Sequence, residues 1–309
     1  MPLAMVSIGE KRKIKSLTGT EDIKKHLTGI NQVDIKYLND QLKKYSKEKN
    51  DEVVYEIFTM IYITIMGAIM GSFLGCMGYR IPNKIKATFP SSFCNECGKP
   101  LKWYMNIPIL SYIFLKGKCA YCKKPINFIY PFVEIVCALL FLCNYIMYDF
   151  TFEFWIATII TCALMVTIIS DFLYYYISDR VLIISGISIV ITLCYHLEMS
   201  DVFKHIIASA LLFMVMYGLK LLGNYMFKKE SLGDGDIKLM AIIALAIGSI
   251  NSFVALFIGS VIGLTFSLII SRKNKDGIIP FGPFLLIGAL MTLYFSNIIS
   301  PIITKYLVF

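Results

Sequence analysis

The stretch 231–250, "SLGDGDIKLMAIIALAIGSI", carries two carboxylates directly into an apolar run. Asp234 and Asp236 stand at the threshold of a segment that is apolar enough to enter a bilayer. An ionisable side chain at the edge of a membrane segment is costly to desolvate and is therefore a candidate functional group. A solvated helix start is the alternative, because aspartate also favours the positive end of a helix dipole. Position alone leaves both interpretations open.

The rest of the chain has the composition of a polytopic membrane protein. It contains 309 residues, of which 57% are hydrophobic, and its mean hydropathy is +0.68, whereas soluble domains are usually ~45–50% apolar. Reading apolar runs of roughly 15–25 residues as spans predicts an all-α fold with about eight transmembrane helices. They lie near 57–79, 130–148, 154–172, 180–197, 203–225, 237–250, 251–271 and 281–304. The region 237–271 stays open to another interpretation, because Gly248, Ser249, Asn251 and Ser252 form its only break.

The basic residues responsible for the net charge of +9 fall in alternate loops, and this distribution argues against a nucleic-acid partner. Lysine and arginine cluster at Arg80, Lys84, Lys86, Lys99, Lys102, Lys116, Lys118, Lys123, Lys124, Lys228, Lys229, Arg272, Lys273 and Lys275, whereas the loops near 149–153, 198–202 and 250–252 contain neither. This alternation follows the positive-inside rule. It predicts a multi-pass protein of the cell membrane whose loops 80–129, 226–236 and 272–280 lie in the cytoplasm.

The first 56 residues form a separate, polar extension of unknown role. No cleavable signal peptide is expected, because the first apolar run follows about fifty residues without an A-x-A-like cleavage site. The extension is rich in both charges and would lie outside if the first span obeys the positive-inside rule. Three explanations remain open: a translocated extension, an extra or re-entrant apolar passage, or a start assigned upstream of a natural start such as Met60.

Four of the nine cysteines form two C-x-x-C pairs in the hydrophilic loop 80–129. They are Cys94 and Cys97, then Cys119 and Cys122, with 21 residues between the pairs. Two such pairs supply the four thiolates of a tetrahedral, structural zinc site, and Gly98 suits the sharp turn after the first pair. Two disulfides or free thiols are the alternative, although a reducing cytosol disfavours disulfides.

The predicted topology brings four aspartates to one face of the membrane. They are Asp171, Asp179, Asp234 and Asp236. Aspartyl proteolysis needs two close carboxyl groups, one ionised to activate water and one protonated to polarise the scissile carbonyl. The glycines that flank Asp234, Gly233 and Gly235, give the backbone freedom for an extended substrate to approach. Each aspartate alone could be a helix cap, but four at one face favour a site.

The sequence does not support the other protease mechanisms, because its histidines are not suitably placed. The three histidines are His26, His196 and His205, and none stands in an H-E-x-x-H arrangement, so a zinc protease lacks its ligands. His196 and His205 are expected at the outer ends of their spans, far from the aspartates.

From about Tyr62 onward, roughly four-fifths of the chain carries an ordered set of motifs. They are "GSFLGCMGYRIP" (71–82), the two C-x-x-C pairs flanking "LKWYMNIPILSYIFLKGKC" (101–119), "YPFVE" (130–134), Asp171 followed by "ISD" (177–179), "GDGDIKL" (233–239) and "IPFGPFLLIGA" (279–289). In this set and order the chain resembles the type IV prepilin leader peptidases, the GxGD-type membrane aspartyl proteases of pilus, competence and type II secretion systems.

This resemblance implies a bifunctional enzyme. It would cut type IV prepilins or pseudopilins after the glycine that ends their leader, and N-methylate the new amino terminus with S-adenosylmethionine. The resemblance makes Asp171 and Asp236 the proteolytic pair, with Asp179 and Lys238 as supporting residues, and associates Gly117 and Glu134 with methyl transfer. It divides the chain after the extension into 57–129, the first helix and the zinc-binding loop associated with methyl transfer, and 130–309, the protease domain.

The chain departs from the family pattern at three positions, of which the first two concern methyl transfer or substrate docking and leave the aspartate pair intact. Gly75 stands where the family commonly has Asn, Ile129 where Arg usually precedes Tyr-Pro, and Ser178 where Pro usually precedes Asp179. Two alternative functions stay open: a transporter or channel with the aspartates as ion ligands, and a GxGD protease of other membrane substrates.

Two further patterns predict helix geometry near the aspartates. The glycines of the first span, at positions 67, 71, 75 and 78, favour close helix packing, with receipt of a substrate helix as a further hypothesis. The break at Pro280, Gly282 and Pro283 could leave backbone groups free near the aspartate pair, or it could only line a cavity.

Overall fold

The computed structural model describes residues 32–86, 92–94, 96–228, 232–270 and 280–298. Within these residues the regular structure is helical, and the only β-type pairings are two isolated bridges in the cysteine loop. The helices are α1 (Gln32–Arg80), α2 (Leu110–Phe114), α3 (Ile129–Tyr148), α4 (Phe152–Tyr174), α5 (Asp179–His196), α6 (Met199–Phe227), α7 (Asp234–Ile247), α8 (Ser249–Ile270) and α9 (Gly282–Tyr294). A 3-10 turn covers Trp103–Asn106.

Six of the described helices are long and apolar enough to cross a membrane: α1, α3, α4, α5, α6 and α8. The other two apolar helices, α7 and α9, have 14 and 13 residues. At 1.5 Å per residue each is about 20 Å long, shorter than the ~30 Å hydrocarbon core of a bilayer. The prediction of an all-α polytopic membrane protein is confirmed, and two of its eight predicted helices are short.

The chain separates into two compact units, residues 1–59 and residues 60–309. The described part of the first unit, from Gln32 onward, is the N-terminal portion of α1. The rest of the predicted extension and the basic cluster at Arg272, Lys273 and Lys275 lie outside the described residues. The second unit contains all the other elements.

The uncertain region 237–271 forms two helices that meet at Gly248. This residue has a φ of +79°, a conformation that glycine adopts without steric cost, and its N–H donates to Ala244 O at 3.0 Å. Helix α8 then begins at Ser249. The break that the sequence offered is therefore a real helix boundary.

The first-span glycines pack against other helices, as predicted. A β-carbon at Gly71 would lie 2.8 Å from Cys137 Cβ of α3, and one at Gly78 would lie 2.7 Å from Ile169 Cβ of α4. A β-carbon at Gly75, in contrast, would meet nothing nearer than 3.4 Å. Close approach of backbones is the usual role of small residues between membrane helices.

Helix α4 forms the centre of the second unit and contacts α3, α5, α7 and α9. Most of its residues from Ile156 to Asp171 are buried. Helix α9 packs closely on α8, because a β-carbon at Gly259 would lie 2.7 Å from Phe284 O. These contacts bring the C-terminal end of α4 beside the first residues of α7 and α9.

Candidate active site

The site lies where α4 ends and where α5, α7 and α9 begin. Helix α4 ends because Tyr175 takes a left-handed conformation with φ of +50°, and the Tyr175 N–H donates to Asp171 O at 2.9 Å. The chain then runs through Tyr176, Ile177 and Ser178 into α5. This connection passes beside the first turns of α7 and α9.

Asp171 is buried at the end of α4 and binds the backbone of α9. Its side chain is 5% exposed, and its Oδ2 accepts a hydrogen bond of 3.1 Å from the Gly282 N–H. Gly282 is the first residue of α9, where the backbone N–H groups have no partner inside the helix. Of the two interpretations of the break at Pro280, Gly282 and Pro283, this bond favours a backbone group placed beside an aspartate.

Asp236 faces the same region from the first turn of α7. Its Oδ1 is buried, and among the described residues no hydrogen-bond partner reaches it. The charges of Asp171 and Asp236 interact electrostatically, although 64 residues of chain lie between them. A β-carbon at Gly233, the residue before α7, would lie 3.1 Å from Asp236 Oδ2. The lack of a side chain at Gly233 therefore leaves space beside that oxygen.

Ile177 is a contact residue of this site that the sequence interpretation missed. A β-carbon at Gly235 would lie 2.8 Å from Ile177 Cβ, and one at Gly282 would lie 2.8 Å from Ile177 Cδ1. The isoleucine side chain therefore fills space left by two glycines, one on each of the short helices. Gly235 and Gly282, each near the start of a helix, were the available sequence signal. They do not indicate which residue packs against them.

Asp179 and Asp234 point to the surface and form ion pairs. Lys238 Nζ lies 2.7 Å from Asp179 Oδ1, and Lys220 pairs with Asp234. The pair of Lys238 and Asp179, in which both side chains are exposed, contributes little to stability. The four aspartates that the sequence brought together thus separate into a facing pair, Asp171 and Asp236, and an outer, cation-paired set.

The cysteine loop folds as two similar turns. The segments "FCNECGKP" (93–100) and "KCAYCKKP" (118–125) share the spacing C-x-x-C-x-K-P. In each turn the N–H of the first cysteine donates to the carbonyl of the lysine five residues later: Cys94 to Lys99 O at 3.0 Å and Cys119 to Lys124 O at 2.9 Å. Gly98 has the positive φ expected of it. The two turns present four thiols to one another.

The four thiols of Cys94, Cys97, Cys119 and Cys122 form a cluster that could hold a metal ion. Their sulfur atoms all lie within 4.8 Å of one another, and none forms a disulfide. Tetrahedral zinc with bonds of ~2.3 Å separates its sulfur ligands by about 3.8 Å, so small adjustments suffice. The backbone N–H groups of Cys122 and Tyr121 lower the pKa of the Cys119 thiol to about 6 against the opposing effect of burial, which favours the thiolate that metals bind.

Glu134 and Gly117 lie on either side of one short segment of the loop. Glu134 Oε2 accepts a 2.7 Å hydrogen bond from the Ile109 N–H, and Ser72 bonds the same carboxyl group. Gly117 has a φ of +69°, and the place of its missing β-carbon lies 2.9 Å from Tyr112 Oη. Segment 109–117 therefore begins at the residue that bonds Glu134 of α3 and ends at Gly117.

The described histidines lie away from the aspartates. His205 Nδ1 is 2.8 Å from Leu245 O, nine residues along α7 from Asp236, and His196 ends α5. His26 is outside the described residues. Neither described histidine is placed to act on the aspartate pair.

Two family models match the second unit of the chain. The model described as "Bacterial Peptidase A24 N-terminal domain" matches residues 65–148, and the model described as "Type IV leader peptidase family" matches residues 158–268. Together they include the cysteine loop, Asp171 and Asp236, whereas the first unit lies outside both.

Curated relatives carry names from the same family. The chain is 29% identical over 240 residues to the "Prepilin leader peptidase/N-methyltransferase" of Bacillus subtilis, covering 76% of this chain and 94% of that one. It is 26% identical over 255 residues to the "Type 4 prepilin-like proteins leader peptide-processing enzyme" of Escherichia coli, covering 76% and 93%. A Myxococcus xanthus protein with the first of these names is 30% identical over 183 residues, which are 59% of this chain and 54% of that one. No solved structure matched.

Proposed function

We propose that this chain, which belongs to the type IV leader peptidase family, is a membrane aspartic endopeptidase with N-methyltransferase activity. Its substrates are type IV prepilins or pseudopilins, cut after the glycine that ends the leader. The observation that carries the proposal is a pair of carboxyl groups: the buried Asp171, which is bonded to the first N–H of α9, and Asp236, whose Oδ1 is buried and which interacts with Asp171 electrostatically.

The two carboxyl groups have different surroundings, which assigns them different roles. The N–H bond from Gly282 to Asp171 Oδ2 favours the ionised form of a carboxyl group. Asp171 is therefore the general base and Asp236 the acid of a pair that titrates as a unit. Asp171 takes a proton from water as the water oxygen bonds to the scissile carbonyl carbon. Asp236 donates its proton to the carbonyl oxygen, which gives a tetrahedral gem-diol. The C–N bond then breaks as the leaving nitrogen takes the proton held by Asp171, and Asp236 recovers a proton from a gem-diol hydroxyl as the carboxyl product forms.

The location of the site suits a substrate that is itself a membrane protein. The pair lies at helix ends rather than at mid-span, close to where a prepilin leader would leave the bilayer. The lysine-rich loop between α1 and α3 supports a cytoplasmic position for this face by the positive-inside rule. Family membership does not favour the alternatives of ion transport or of other substrates.

Zinc and S-adenosylmethionine are the proposed cofactors. The four loop thiolates would hold zinc in a closed structural site, since four protein ligands leave no position for water. S-adenosylmethionine, when bound, supplies the methyl group and carries a positive sulfonium. The half-buried carboxylate of Glu134, beside the segment that ends at Gly117, complements that charge. A β-carbon at Gly75 would make only ordinary contacts, the nearest at 3.4 Å from Ile169 Cδ1.

The test is co-expression with a prepilin, comparing wild type with Asp171→Asn and Asp236→Asn by intact-mass spectrometry of the pilin. Wild type should remove the leader and add about 14 Da, the mass of one methyl group that replaces hydrogen, and both variants should leave the leader in place. Asp201→Asn, an exposed aspartate paired with Lys204, is the matched control and should behave as wild type. Cleavage by both site variants would contradict the aspartyl mechanism.

A further inference from the structure

The cysteine loop turns its apolar side chains outward. Trp103 and Phe114 are each 80% exposed, Ile113 is 61% exposed and Leu110 is 51% exposed. Tyr112, which has a hydroxyl group to offer to water, instead faces Gly117. Contiguous exposed apolar surface of this kind marks an interaction site. The loop surface formed by Trp103, Leu110, Ile113 and Phe114 is called the loop rim below.

The loop rim is fixed at the level of the first turn of a membrane-spanning helix. The Ile109 N–H, one residue before α2, bonds Glu134 in α3. The Tyr112 ring lies 6.3 Å from the ring of Phe128, which in turn lies 6.4 Å from the ring of Phe132. Helix α2 is therefore held beside the end of α3 rather than projected away from it.

The apolar surface of the loop continues into the outward face of α3. Phe128 and Phe132 are exposed, and Phe132, Ile135 and Leu139 are exposed at helical spacings of three and four residues. Helix α3 is long and apolar enough to span the membrane, so this face meets lipid acyl chains. The loop surface is joined to this face through the ring contacts of Tyr112, Phe128 and Phe132. It therefore lies at the level of the lipid headgroups, next to the acyl chains.

The charges around the loop rim complement an anionic surface. Residues 81–129 contain eight lysines and one acidic residue, Glu96, which is already paired with Lys124. Lys102 adjoins Trp103 and lies 5.9 Å from the Tyr104 ring, and the exposed Lys116 and Lys118 follow Phe114. Aromatic residues flanked by lysines are typical of segments that bind the headgroup region of anionic membranes.

We propose that the loop rim inserts into the headgroup region of an anionic phospholipid bilayer, while Lys102, Lys116 and Lys118 bind lipid phosphates. The cysteine loop then lies on the membrane beside α3. This inference is independent of the proposed enzymatic activity and requires only that α3 spans a bilayer.

The chain offers a direct test because it has two tryptophans, Trp103 and Trp155. Trp155→Phe leaves Trp103 as the sole reporter in the full-length protein, reconstituted in nanodiscs of phosphatidylcholine and phosphatidylglycerol. We expect a blue-shifted emission, quenching by lipids brominated near the headgroup end of the acyl chain, and several-fold protection from acrylamide. Emission typical of water, with full access to acrylamide and no quenching by bromine, would overturn the proposal.

The reverse variant, Trp103→Phe, is the matched control, because Trp155 lies in the spanning helix α4 and should be quenched by brominated lipid whatever the loop does. The electrostatic part is tested by Lys102→Gln with Lys116→Gln and Lys118→Gln in the Trp155→Phe background. These changes should weaken bromine quenching of Trp103 at least twofold in anionic nanodiscs, whereas Lys204→Gln should not. Equal quenching with and without the three lysines would overturn phosphate binding, and protection of Trp103 only after a prepilin is added would assign the rim to a protein partner instead.

Discussion

Gly282 is the residue on which the geometry of the aspartate pair depends most closely. A β-carbon there would lie 2.8 Å from Ile177 Cδ1, 3.0 Å from Thr167 Cγ2 and 3.2 Å from Asp171 Oδ2. We expect Gly282→Ala to lower kcat/KM for leader cleavage by about tenfold or more, because small displacements of catalytic groups are costly. Adding Ile177→Val removes the Cδ1 atom and should restore part of the loss.

The control for this pair of changes is Gly218→Ala. No atom lies within 4 Å of the place of its β-carbon, so the cleavage rate should stay as in wild type. Full activity of Gly282→Ala, or a double variant no better than the single one, would contradict the role given to the contact between Ile177 and Gly282.

Glu134 offers a way to separate the two activities. Glu134→Gln keeps an oxygen that accepts the Ile109 N–H bond but removes the negative charge proposed to face the sulfonium. We expect N-methylation of cleaved pilin to fall by about tenfold or more, with leader cleavage within about twofold of wild type. Intact-mass spectrometry measures both products in one sample, and Glu153→Gln, at the start of α4, is the control. Equal loss of both activities would make Glu134 a structural residue.

The sequence predicted the carboxyl groups of the site but not the contacts of Ile177 that pack the helices around them. The topology predicted four aspartates at one face of the membrane, and the family resemblance selected Asp171 and Asp236 among them as the pair. In the structure Asp171 and the Oδ1 atom of Asp236 are buried, and the two carboxyl groups interact electrostatically. Ile177 was missed because an isoleucine offers no chemistry, and its contacts with Gly235 and Gly282 are tertiary. A single sequence does not specify such contacts.

At the scale of elements, the short helix α9 is held at both ends by polar contacts. Its first N–H bonds Asp171, and its last residue, Tyr294, donates its hydroxyl to Asn144 Oδ1 in α3. Asn144 is fully buried and its Nδ2 lies 3.3 Å from Thr161 Oγ1 of α4. The network therefore connects α9 to the two helices on which its position depends.

We expect Tyr294→Phe to weaken this attachment, because it leaves Asn144 Oδ1 without its donor. Hydrogen bonds between membrane helices contribute about 0.6 kcal/mol on average and up to about 1.7. The change should lower the Tm of the detergent-solubilised protein by a few degrees and reduce leader cleavage several-fold. Tyr195→Phe, an exposed tyrosine, is the control. An unchanged Tm would show that the network does not hold α9.

The apolar pattern predicted which segments are helices but not which of them form the interior. The break at Gly248 was visible, whereas the central position of α4 was not. Inside a bilayer, the lipid-facing and protein-facing sides of a helix are both apolar, so hydropathy does not distinguish buried helices from peripheral ones. Only buried polar residues such as Asn144 carry that information.

For the whole molecule, the two proposed activities rest on different parts of the chain. The two aspartates, Gly282, which bonds Asp171, and Ile177, which packs against Gly235 and Gly282, all lie between the start of α4 and the end of α9. The cysteine cluster and Gly117 lie in the loop before α3. We therefore propose that residues 57–129, together with Glu134 in the adjoining helix α3, serve methyl transfer and that the protease domain spans 130–309.

Loss of the metal should separate these two parts. The cysteine loop has few elements of its own, and a structural zinc site supplies folding free energy directly. Replacing Cys97 and Cys122 by serine should abolish bound zinc, measured by elemental mass spectrometry, and expose the loop lysines to trypsin. N-methylation should then fall by about tenfold or more, while leader cleavage stays within about twofold of wild type. Cys143→Ser with Cys194→Ser, two exposed cysteines of the spanning helices, is the matched control. Cleavage lost together with zinc would mean that the protease domain needs the folded loop, and would overturn the proposed division of the chain.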